Sequence, residues 1–378
     1  MKIGVFHPAL HMSGGAELVA LVVANALARS DYETELYVSQ KINQEHVKRM
    51  LGEELASSVE VIVKPSSVQR GGSFDFFPIT FDSYIFKRKC DILVDTYSNC
   101  ILPWADVCYI HFPFLNRYDY QTNFPYLKSR HIRHLISLPY AIYAKKLQNY
   151  DNKLIIANSI FTAEAIKEFL NVDVKVLYPP VQSSLFNKPE DNLSEDSKEN
   201  LVVTVSRFAP DKGLERIPYI AKLTRDNAKF VLIGLLHDPN FYQSIVTNIA
   251  RLNLSNKVKP LPDAPKTELE NTLKKAKVYL HTTEREHFGI SIVEAMAKGC
   301  IPIVPNSGGM REFVPVEYRY ENLQDAAQKI ENALHEWTPN EARKMVKIAE
   351  QFSESNFSRD FIQLFSSYLE KRGQNEKG

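Results

Sequence analysis

Glu286 and Glu294 stand on either side of a His-Phe-Gly turn, and their spacing is the most informative chemistry in the sequence. Glu286 follows the strand-like run Val278 to His281, and Glu294 lies in an apolar run of helical spacing. The backbone of Phe288-Gly289-Ile290 would then present free N–H groups at a helix N-terminus, where the amides and the helix dipole favour an anion. Two acids beside an anion site predict a ligand that carries both phosphate and hydroxyl groups, as a nucleotide sugar does.

A glycine-rich turn, Ser13-Gly14-Gly15-Ala16-Glu17, lies between the first predicted strand and the first predicted helix. Glycines let the backbone approach a ligand closely, and the following helix N-terminus attracts an oxyanion. The segment is not a GxGxxG fingerprint, and no Lys-Ser or Lys-Thr follows as in a P-loop. By itself it fits a tight βα turn as well as it fits a binding turn.

Two basic side chains, Arg207 and Lys212, follow the first strand-like run of the second half of the chain. They would project from the carboxyl end of a strand, where open α/β sheets bind their ligands. Their charges could neutralise a diphosphate. The alternative is a solvated, charged loop that binds nothing.

A histidine, His111, closes the strand-like run of the first half within Tyr109-Ile110-His111-Phe112-Pro113. An imidazole can donate to or accept from a sugar hydroxyl near neutral pH. A lone histidine among aromatic residues is more often a hydrogen-bonded core residue, but the carboxyl end of a strand favours a functional role.

Strand-like and helix-like runs alternate along the whole chain, which predicts βαβ units and parallel sheets covered on both faces. The pattern breaks near Tyr178-Pro179-Pro180 and restarts at Leu201. The sequence therefore predicts an α/β fold of two doubly wound, Rossmann-like domains that face a cleft. The domains are expected over residues 1–180 and 181–356, with a helix over 357–378 that packs back on the N-terminal domain.

The composition limits the classes of function. The 378 residues are 44% hydrophobic and 24% charged with a formal net charge of +1, so no global field of nucleic-acid-binding strength is expected. The four cysteines show no CxxC pair, which favours a reduced, cytoplasmic chain with no metal site. The start of the chain reads as a strand and not as a signal peptide, and no apolar stretch approaches the roughly 20 residues that span a bilayer. Any membrane contact is therefore expected to be peripheral.

Residues 126–150 mix cations with aliphatic and aromatic residues at helical spacing. Lys145 and Lys146 belong to this segment, and Pro139 interrupts it. Such a segment suits adsorption on an anionic membrane, and a solvated amphipathic helix is the alternative.

With these residues placed, the chain resembles the retaining glycosyltransferases of family 4, which have the GT-B fold. The resemblance rests on the glycine turn, the two cations, the paired glutamates and the last helix. It implies that Arg207 and Lys212 hold the donor diphosphate, and that the amides of Phe288, Gly289 and Ile290 contact phosphate and sugar. It also implies that Glu286 binds sugar hydroxyls, that Glu294 holds the ribose, and that His111 lies beside the donor sugar. Gly14, Gly15 and Glu17 would then line the acceptor side, and neither a metal nor a further cofactor is needed.

Three shorter segments are similar to the α-1,2-mannosyltransferases that extend lipid-diphosphate-linked oligosaccharides from GDP-mannose: Tyr109 to Pro113, Ala157-Asn158-Ser159 and Tyr178-Pro179-Pro180. This resemblance implies a nucleotide-sugar donor and a glycan or lipid-linked acceptor at the cytosolic membrane face. Three alternatives stay open: a UDP-sugar-dependent glucosyl or GlcNAc transferase, a nucleotide-sugar epimerase, and a non-catalytic carbohydrate-binding protein. An epimerase would want additional acid/base residues, and the spacing of Glu286 and Glu294 argues against it.

Overall fold

The computed structural model describes residues 1–10, 14–43, 45, 47–48, 54–64, 76–113, 150, 152–186, 197–225 and 227–375. The predicted membrane segment 126–150, apart from Tyr150, lies outside these residues. The chain forms two compact units, one made of Met1–Gln182 with Ser353–Gly378 and the other of Ser183–Phe352. No helix in the described part of the chain is both long enough and apolar enough to cross a membrane.

The first unit is built on a seven-stranded parallel sheet in the order β3-β2-β1-β4-β5-β6-β7. Its strands are β1 (Lys2–Phe6), β2 (Glu33–Val38), β3 (Val59–Val63), β4 (Ile92–Asp95), β5 (Val107–Ile110), β6 (Leu154–Ala157) and β7 (Lys175–Val176). The helices described between them are α1 (Gly15–Arg29), α2 (Phe76–Lys87) and α3 (Ile160–Leu170). Strands β4, β5 and β6 are buried along their whole length, as apolar strands covered on both faces must be. The strand order reverses between β1 and β4, which is where ligands bind in such sheets.

The second unit repeats this architecture with a six-stranded parallel sheet in the order β10-β9-β8-β11-β12-β13. The strands are β8 (Glu199–Val205), β9 (Lys229–Gly234), β10 (Val258–Pro262), β11 (Ala276–Leu280), β12 (Ile301–Pro305) and β13 (Arg319–Tyr320). The helices are α4 (Ile217–Leu223), α5 (Pro239–Arg251), α6 (Lys266–Lys275), α7 (Ile290–Ala297), α8 (Leu323–Glu336) and α9 (Pro339–Glu350). The neighbouring strands β8, β11 and β12 lie at the middle of the sheet and lead into the candidate site.

The last helix, α10 (Glu354–Asn375), belongs to the first unit. It buries Phe357, Phe361, Phe365 and Tyr368 in the core that α1 also lines, and the rings of Phe361 and Phe365 stack with centroids 6.0 Å apart. These side chains recur every three or four positions, so they form one apolar stripe along the helix. The hydrophobic effect of this stripe, about 1.5–3 kcal/mol for each fully buried ring, therefore ties the last helix to the first unit.

Candidate functional site

The candidate site of the second unit gathers the loops that follow three neighbouring strands. Arg207 and Lys212 follow β8, Glu286 follows β11, and Gly308 follows β12. Because the carboxyl ends of parallel strands meet at one edge of a sheet, residues far apart in sequence come together there.

Each oxygen of the Glu286 carboxylate has at least one close polar neighbour. The Lys212 ammonium lies 3.3 Å from Oε2, and the His281 imidazole Nε2 lies 3.5 Å from the same oxygen. The backbone N–H of His287 donates to Oε1 at 3.3 Å. The predicted Lys212 and Glu286 are therefore brought together, and His281, which follows β11 directly, joins them.

The surroundings of Glu286 favour its charged form. Burial would raise the pKa of this carboxyl, but the Lys212 ammonium and the contact with the His281 imidazole outweigh this effect and hold the pKa well below its usual range. Burial also lowers the pKa of His287 to about 4, so this ring is neutral at pH 7. The site thus combines an ionised carboxylate, an ammonium and a neutral imidazole.

Two threonines hold the β8 loop against the β11 loop. Thr282 Oγ1 donates to the carbonyl oxygen of Lys212 at 2.9 Å, and Thr283 Oγ1 donates to the same oxygen at 3.3 Å. Gly213 follows in the left-handed region with φ of 65°, and a Cβ atom there would lie 2.7 Å from the Thr282 carbonyl oxygen. The lysine is thus positioned through its backbone as well as through its ion pair.

The loop after β12 contacts the backbone of Glu286. The N–H of Gly309 donates to the Glu286 carbonyl oxygen at 2.8 Å, and Ser307 Oγ accepts from the Arg285 N–H at 2.9 Å. Gly308 has φ of 71°, and a Cβ atom there would collide with the Glu286 carbonyl. Only a glycine fits this position without moving the backbone that carries Glu286.

Helix α7 begins directly after the turn, with Gly289 as its N-cap at φ of 98° and no side-chain cap. The Gly289 carbonyl accepts from the N–H of Ile292 at 2.9 Å and from that of Val293 at 3.4 Å. A helix start without a side-chain cap keeps its first N–H groups available for an anion. The predicted anion cradle at residues 288–290 therefore has the expected local structure, while its ligand role stays a prediction.

The other two side chains predicted to bind the donor, Arg207 and Glu294, form no ion pair with Lys212 or Glu286. Arg207 is nearly half exposed, and its Nη2 lies 3.5 Å from Asp211 Oδ2, so in this structure it pairs with its own loop. Glu294 is half-buried on α7. Burial raises the pKa of Glu294 to about 7, against the opposing effect of Lys266 and Lys298. The pKa values of Glu286 and Glu294 are thus shifted in opposite directions.

The first unit carries a second polar cluster at the point where its strand order reverses. His7 directly follows β1 and is fully buried, and its Nδ1 lies 2.9 Å from Thr96 Oγ1. Its Nε2 lies 3.8 Å from Glu17 Oε1. Burial would raise the pKa of Glu17, but the nearby His7 imidazole outweighs this effect and lowers the pKa. Sequence reasoning missed His7, although its place at the end of β1 was a usable signal.

His111 is joined to the same cluster through Thr96. Its Nε2 lies 3.3 Å from the Thr96 carbonyl oxygen, and its backbone N–H donates to Asn99 Oδ1 at 3.0 Å. The carbonyl of His111 accepts from Thr162 Oγ1 at 3.3 Å. The backbone of His111 is therefore fixed on both sides and its ring is half-buried.

The backbone of the glycine turn in the first unit is less constrained than the backbone at Gly308 in the second unit. Gly14 is the N-cap of α1 in an extended conformation, and Gly15 is the first residue of the helix. A Cβ atom on Gly14 would lie 2.7 Å from Glu17 Oε2, which is the far end of a side chain and not backbone. The turn thus brings Glu17 close to the backbone of Gly14.

Residues 187–352 match the family model described as glycosyl transferases group 1. This range contains all the second-unit site residues and ends before α10. Curated relatives include the GDP-Man:Man(3)GlcNAc(2)-PP-Dol alpha-1,2-mannosyltransferases of Dictyostelium discoideum and Xenopus laevis. The first is 25% identical over 71% of this chain and 60% of its own length, and the second is 24% identical over 87% and 78%. The match thus leaves two fifths of the Dictyostelium protein uncovered.

Solved structures of similar fold include Anabaena HepE in complex with UDP and glucose. It has a TM-score of 0.69 at 19% identity and covers 97% of this chain and 100% of its own. Sucrose-phosphate synthase from Thermosynechococcus elongatus has a TM-score of 0.73 at 16% identity, with 98% and 100% covered. These matches confirm the predicted GT-B fold of two α/β domains, and the family and relative matches confirm the resemblance to family 4 glycosyltransferases.

Proposed function

We propose that this chain, a GT-B protein with a glycosyl transferases group 1 domain over residues 187–352, is a retaining hexosyltransferase. Its donor is a nucleotide sugar, GDP-mannose in the first instance, and its acceptor is a lipid-linked glycan at the cytosolic face of a membrane. The observation that carries this proposal is the ion pair of Lys212 and Glu286 beside the uncapped start of α7.

The second-unit site has the groups that a nucleotide-sugar donor requires. Lys212 supplies a positive charge, and the first amides of α7 supply hydrogen-bond donors of the kind that diphosphates prefer. The ionised Glu286 carboxylate supplies acceptors for sugar hydroxyls near the reacting carbon. Arg207 stands on the same loop as Lys212 and would leave Asp211 to add a second cation to the diphosphate. Glu294, further along α7, would hold the ribose.

The chemistry proposed for the site is transfer with retention. The bond between the anomeric carbon and the diphosphate oxygen breaks while the acceptor oxygen bonds on the same face. The leaving diphosphate takes the acceptor proton. Glu286 orients the sugar, and Lys212 stabilises the negative charge that develops on the diphosphate. The role of His111 beside the donor sugar is proposed on the family resemblance alone. This mechanism needs neither a metal ion nor a covalent intermediate. The absence of each is a prediction.

Mannose and a lipid-linked acceptor are proposed because the curated relatives carry those substrates in their names. A UDP-sugar is the second candidate, since the structure of HepE contains UDP and glucose, but that likeness concerns the fold alone. The membrane face is proposed on the same ground as the acceptor. The segment 126–150 stays a proposed membrane contact on its sequence pattern, together with cytoplasmic localisation.

Thermal unfolding against a panel of GDP-, UDP- and ADP-sugars tests the donor. A ligand that binds only the folded chain stabilises it by RT ln(1 + [L]/Kd), which is about 2.7 kcal/mol at a hundredfold excess over Kd. We expect GDP-mannose to raise the midpoint most and GDP alone to reproduce part of the shift. If UDP-glucose alone raises the midpoint, the donor is UDP-glucose and not GDP-mannose. If no member of the panel raises the midpoint, the proposed class of enzyme is contradicted.

A further inference from the structure

Helix α2 of the first unit presents a stripe of side chains that its own unit does not bury. Phe81 and Tyr84 lie three positions apart on one side of the helix, and Arg88 follows its last residue, Lys87. Phe81 is 64% exposed and Tyr84 is 37% exposed. The opposite side is well packed, because Phe86 is buried and stacks on the ring of Tyr37 with centroids 4.1 Å apart. The helix is therefore firmly held while two of its aromatic rings face solvent.

A third exposed ring reaches the same surface from a different segment. Trp104, which lies between β4 and β5, is 43% exposed, and its ring centroid lies 4.9 Å from that of Tyr84. We call Phe81, Tyr84 and Trp104 the aromatic surface. Across the described residues, the other aromatic ring of comparable exposure is Tyr219 in the second unit, whose hydroxyl accepts from Arg251 at 3.0 Å. The clustering of the remaining three in one place is thus not typical of the rest of the protein.

Basic side chains border the aromatic surface. The Arg88 guanidinium lies 5.9 Å from the Tyr84 ring centroid, and Lys89 beside it is exposed. Asp106 is shared by two cations, since its carboxylate oxygens lie 2.7 Å from Lys87 Nζ and 2.8 Å from Arg372 Nη1. Asp91 is the exposed acid closest in sequence, and one of its oxygens accepts from the backbone N–H of Lys2 at 2.8 Å. The border of the aromatic surface is therefore more basic than acidic.

Exposed aromatic rings with polar edges, bordered by arginine and lysine, match the headgroup region of an anionic bilayer. Tryptophan and tyrosine place an apolar ring below the headgroups and a polar atom at their level. Cations near the surface add electrostatic attraction to acidic lipids. A protein partner would require a much larger complementary area than three side chains provide.

We propose that the aromatic surface docks this protein on the headgroup region of an anionic phospholipid bilayer. The inference rests on the proposed function only in so far as a lipid-linked acceptor lies in such a bilayer. It concerns a described surface separate in sequence from the segment 126–150. Docking here inserts Phe81, Tyr84 and Trp104 at the level of the headgroups and places Arg88 and Lys89 against lipid phosphates.

Intrinsic fluorescence reports this docking directly, because the chain has two tryptophans and the other one is inside the second unit. Trp337 is buried, and its Nε1 donates to the Gly299 carbonyl oxygen at 3.0 Å. Vesicles of phosphatidylcholine with phosphatidylserine should shift the emission of Trp104 to the blue and protect it from acrylamide. Phosphatidylcholine vesicles and high salt should weaken both effects. No blue shift with the anionic vesicles would overturn the proposal.

Vesicle flotation of matched variants measures the contribution of each part. Phe81→Ser with Tyr84→Ser should weaken vesicle binding at least about tenfold, a loss of about 1.4 kcal/mol. The control Val316→Ser, which changes an apolar side chain 69% exposed in the second unit, should leave binding unchanged. Arg88→Glu with Lys89→Glu should weaken binding several-fold, and the exposed control pair Arg343→Glu with Lys347→Glu should not. Equal effects of test and control variants would contradict the proposal.

Further outcomes separate the rival accounts. A blue shift that grows with protein concentration in the absence of lipid would mean that the aromatic surface binds a second copy, and it would overturn lipid docking. Loss of flotation in Lys145→Glu with Lys146→Glu, with normal flotation of the Phe81 and Tyr84 variant, would also overturn it. Because these assays contain neither donor nor acceptor, they are independent of transfer. Docking without any transfer activity would refute the proposed function alone, and transfer without docking would refute this inference alone.

Discussion

Glu286 in the second unit and Glu17 in the first unit are both acids beside a glycine-rich turn at the carboxyl edge of a parallel sheet. Both have a pKa below the usual value in spite of burial. The partner of Glu286 with the largest charge effect is the Lys212 ammonium, whereas the partner of Glu17 is the His7 imidazole. The Lys212 ammonium lies 3.3 Å from the Glu286 carboxylate, whereas the His7 imidazole lies 3.8 Å from the Glu17 carboxylate. Glu286 thus has the closer partner of the two acids.

The two turns also differ in how tightly the backbone is constrained. Gly308 has a positive φ and lies against the backbone of Glu286, whereas Gly14 is extended and lies against the end of a side chain. Loops from three strands hold Glu286, and its position therefore depends on contacts between distant parts of the sequence. A substitution at Gly308 should therefore disturb Glu286 more than a substitution at Gly14 disturbs Glu17.

The largest effect is expected from removing the ammonium. Lys212→Met should lower kcat/KM for sugar transfer by about 100- to 1000-fold, because the variant loses charge stabilisation at the diphosphate. His7→Gln, which changes the corresponding partner in the first unit, should lower it by about tenfold or less. Steady-state kinetics with the exposed Lys222→Met as a control checks the contrast. Equal losses in the Lys212 and His7 variants would erase the distinction between the units.

The next effect concerns the glycines. Gly308→Ala should destabilise the folded state by about 1–3 kcal/mol and should lower transfer, because the added Cβ displaces the backbone of Glu286. Gly14→Ala should cost less than about 1 kcal/mol, since the Glu17 side chain can move aside. Urea unfolding measures both changes. Gly373→Ala on α10, where a Cβ atom would meet nothing within 4 Å, is the matched control. A larger loss at Gly14 than at Gly308 would reverse the comparison.

The smallest effect is a pH dependence within the second unit. The pKa of His287 is lowered from 6.5 to about 4, so its contribution to stability is complete above about pH 6.5 and is lost as the pH falls towards 4. The pKa of Glu294 is raised from 4.5 to about 7, so it has the opposite slope and weakens the fold as the pH rises through that range. The two groups therefore oppose each other in the wild-type chain.

Single variants separate these slopes. On acidification from about pH 7 to about pH 5, His287→Gln should gain about 1–2 kcal/mol of stability relative to the wild type, and Glu294→Gln should lose a similar amount. Urea unfolding at the two pH values checks this, with the exposed His237→Gln as a control. The same sign for both variants would show that one of the two shifts has been assigned the wrong direction.

Much of the site could be predicted from sequence because its loops follow strands. The runs before Arg207, Glu286 and Gly308 are short and apolar, and chemistry at the carboxyl ends of such strands is expected. The helix N-terminus at residues 288–290 was predicted from the apolar run of helical spacing that follows the turn. Placing Lys212, and not Arg207, beside Glu286 could not be foreseen, because both cations lie on one loop and side-chain direction depends on the fold.

Other features arise from tertiary contacts that no local pattern encodes. The bonds from Thr282 and Thr283 to the Lys212 carbonyl join residues 70 and 71 positions apart. His7 could have been found, since it directly follows the first strand, but its pairing with Glu17 and Thr96 depends on the strand order. The exposed aromatic surface also required the structure, because Tyr84 and Trp104 come from separate segments.

The central claim is that Glu286 is an ionised donor-binding carboxylate. It is tested most directly by transfer assays of Glu286→Gln beside Glu284→Gln, with GDP-mannose as donor. Glu284 is a matched control, because it lies two positions earlier, is largely exposed and pairs with Arg216. We predict that Glu286→Gln lowers kcat/KM by about 100-fold or more while Glu284→Gln stays within about threefold of wild type. Unchanged transfer by a folded Glu286→Gln variant would contradict the account.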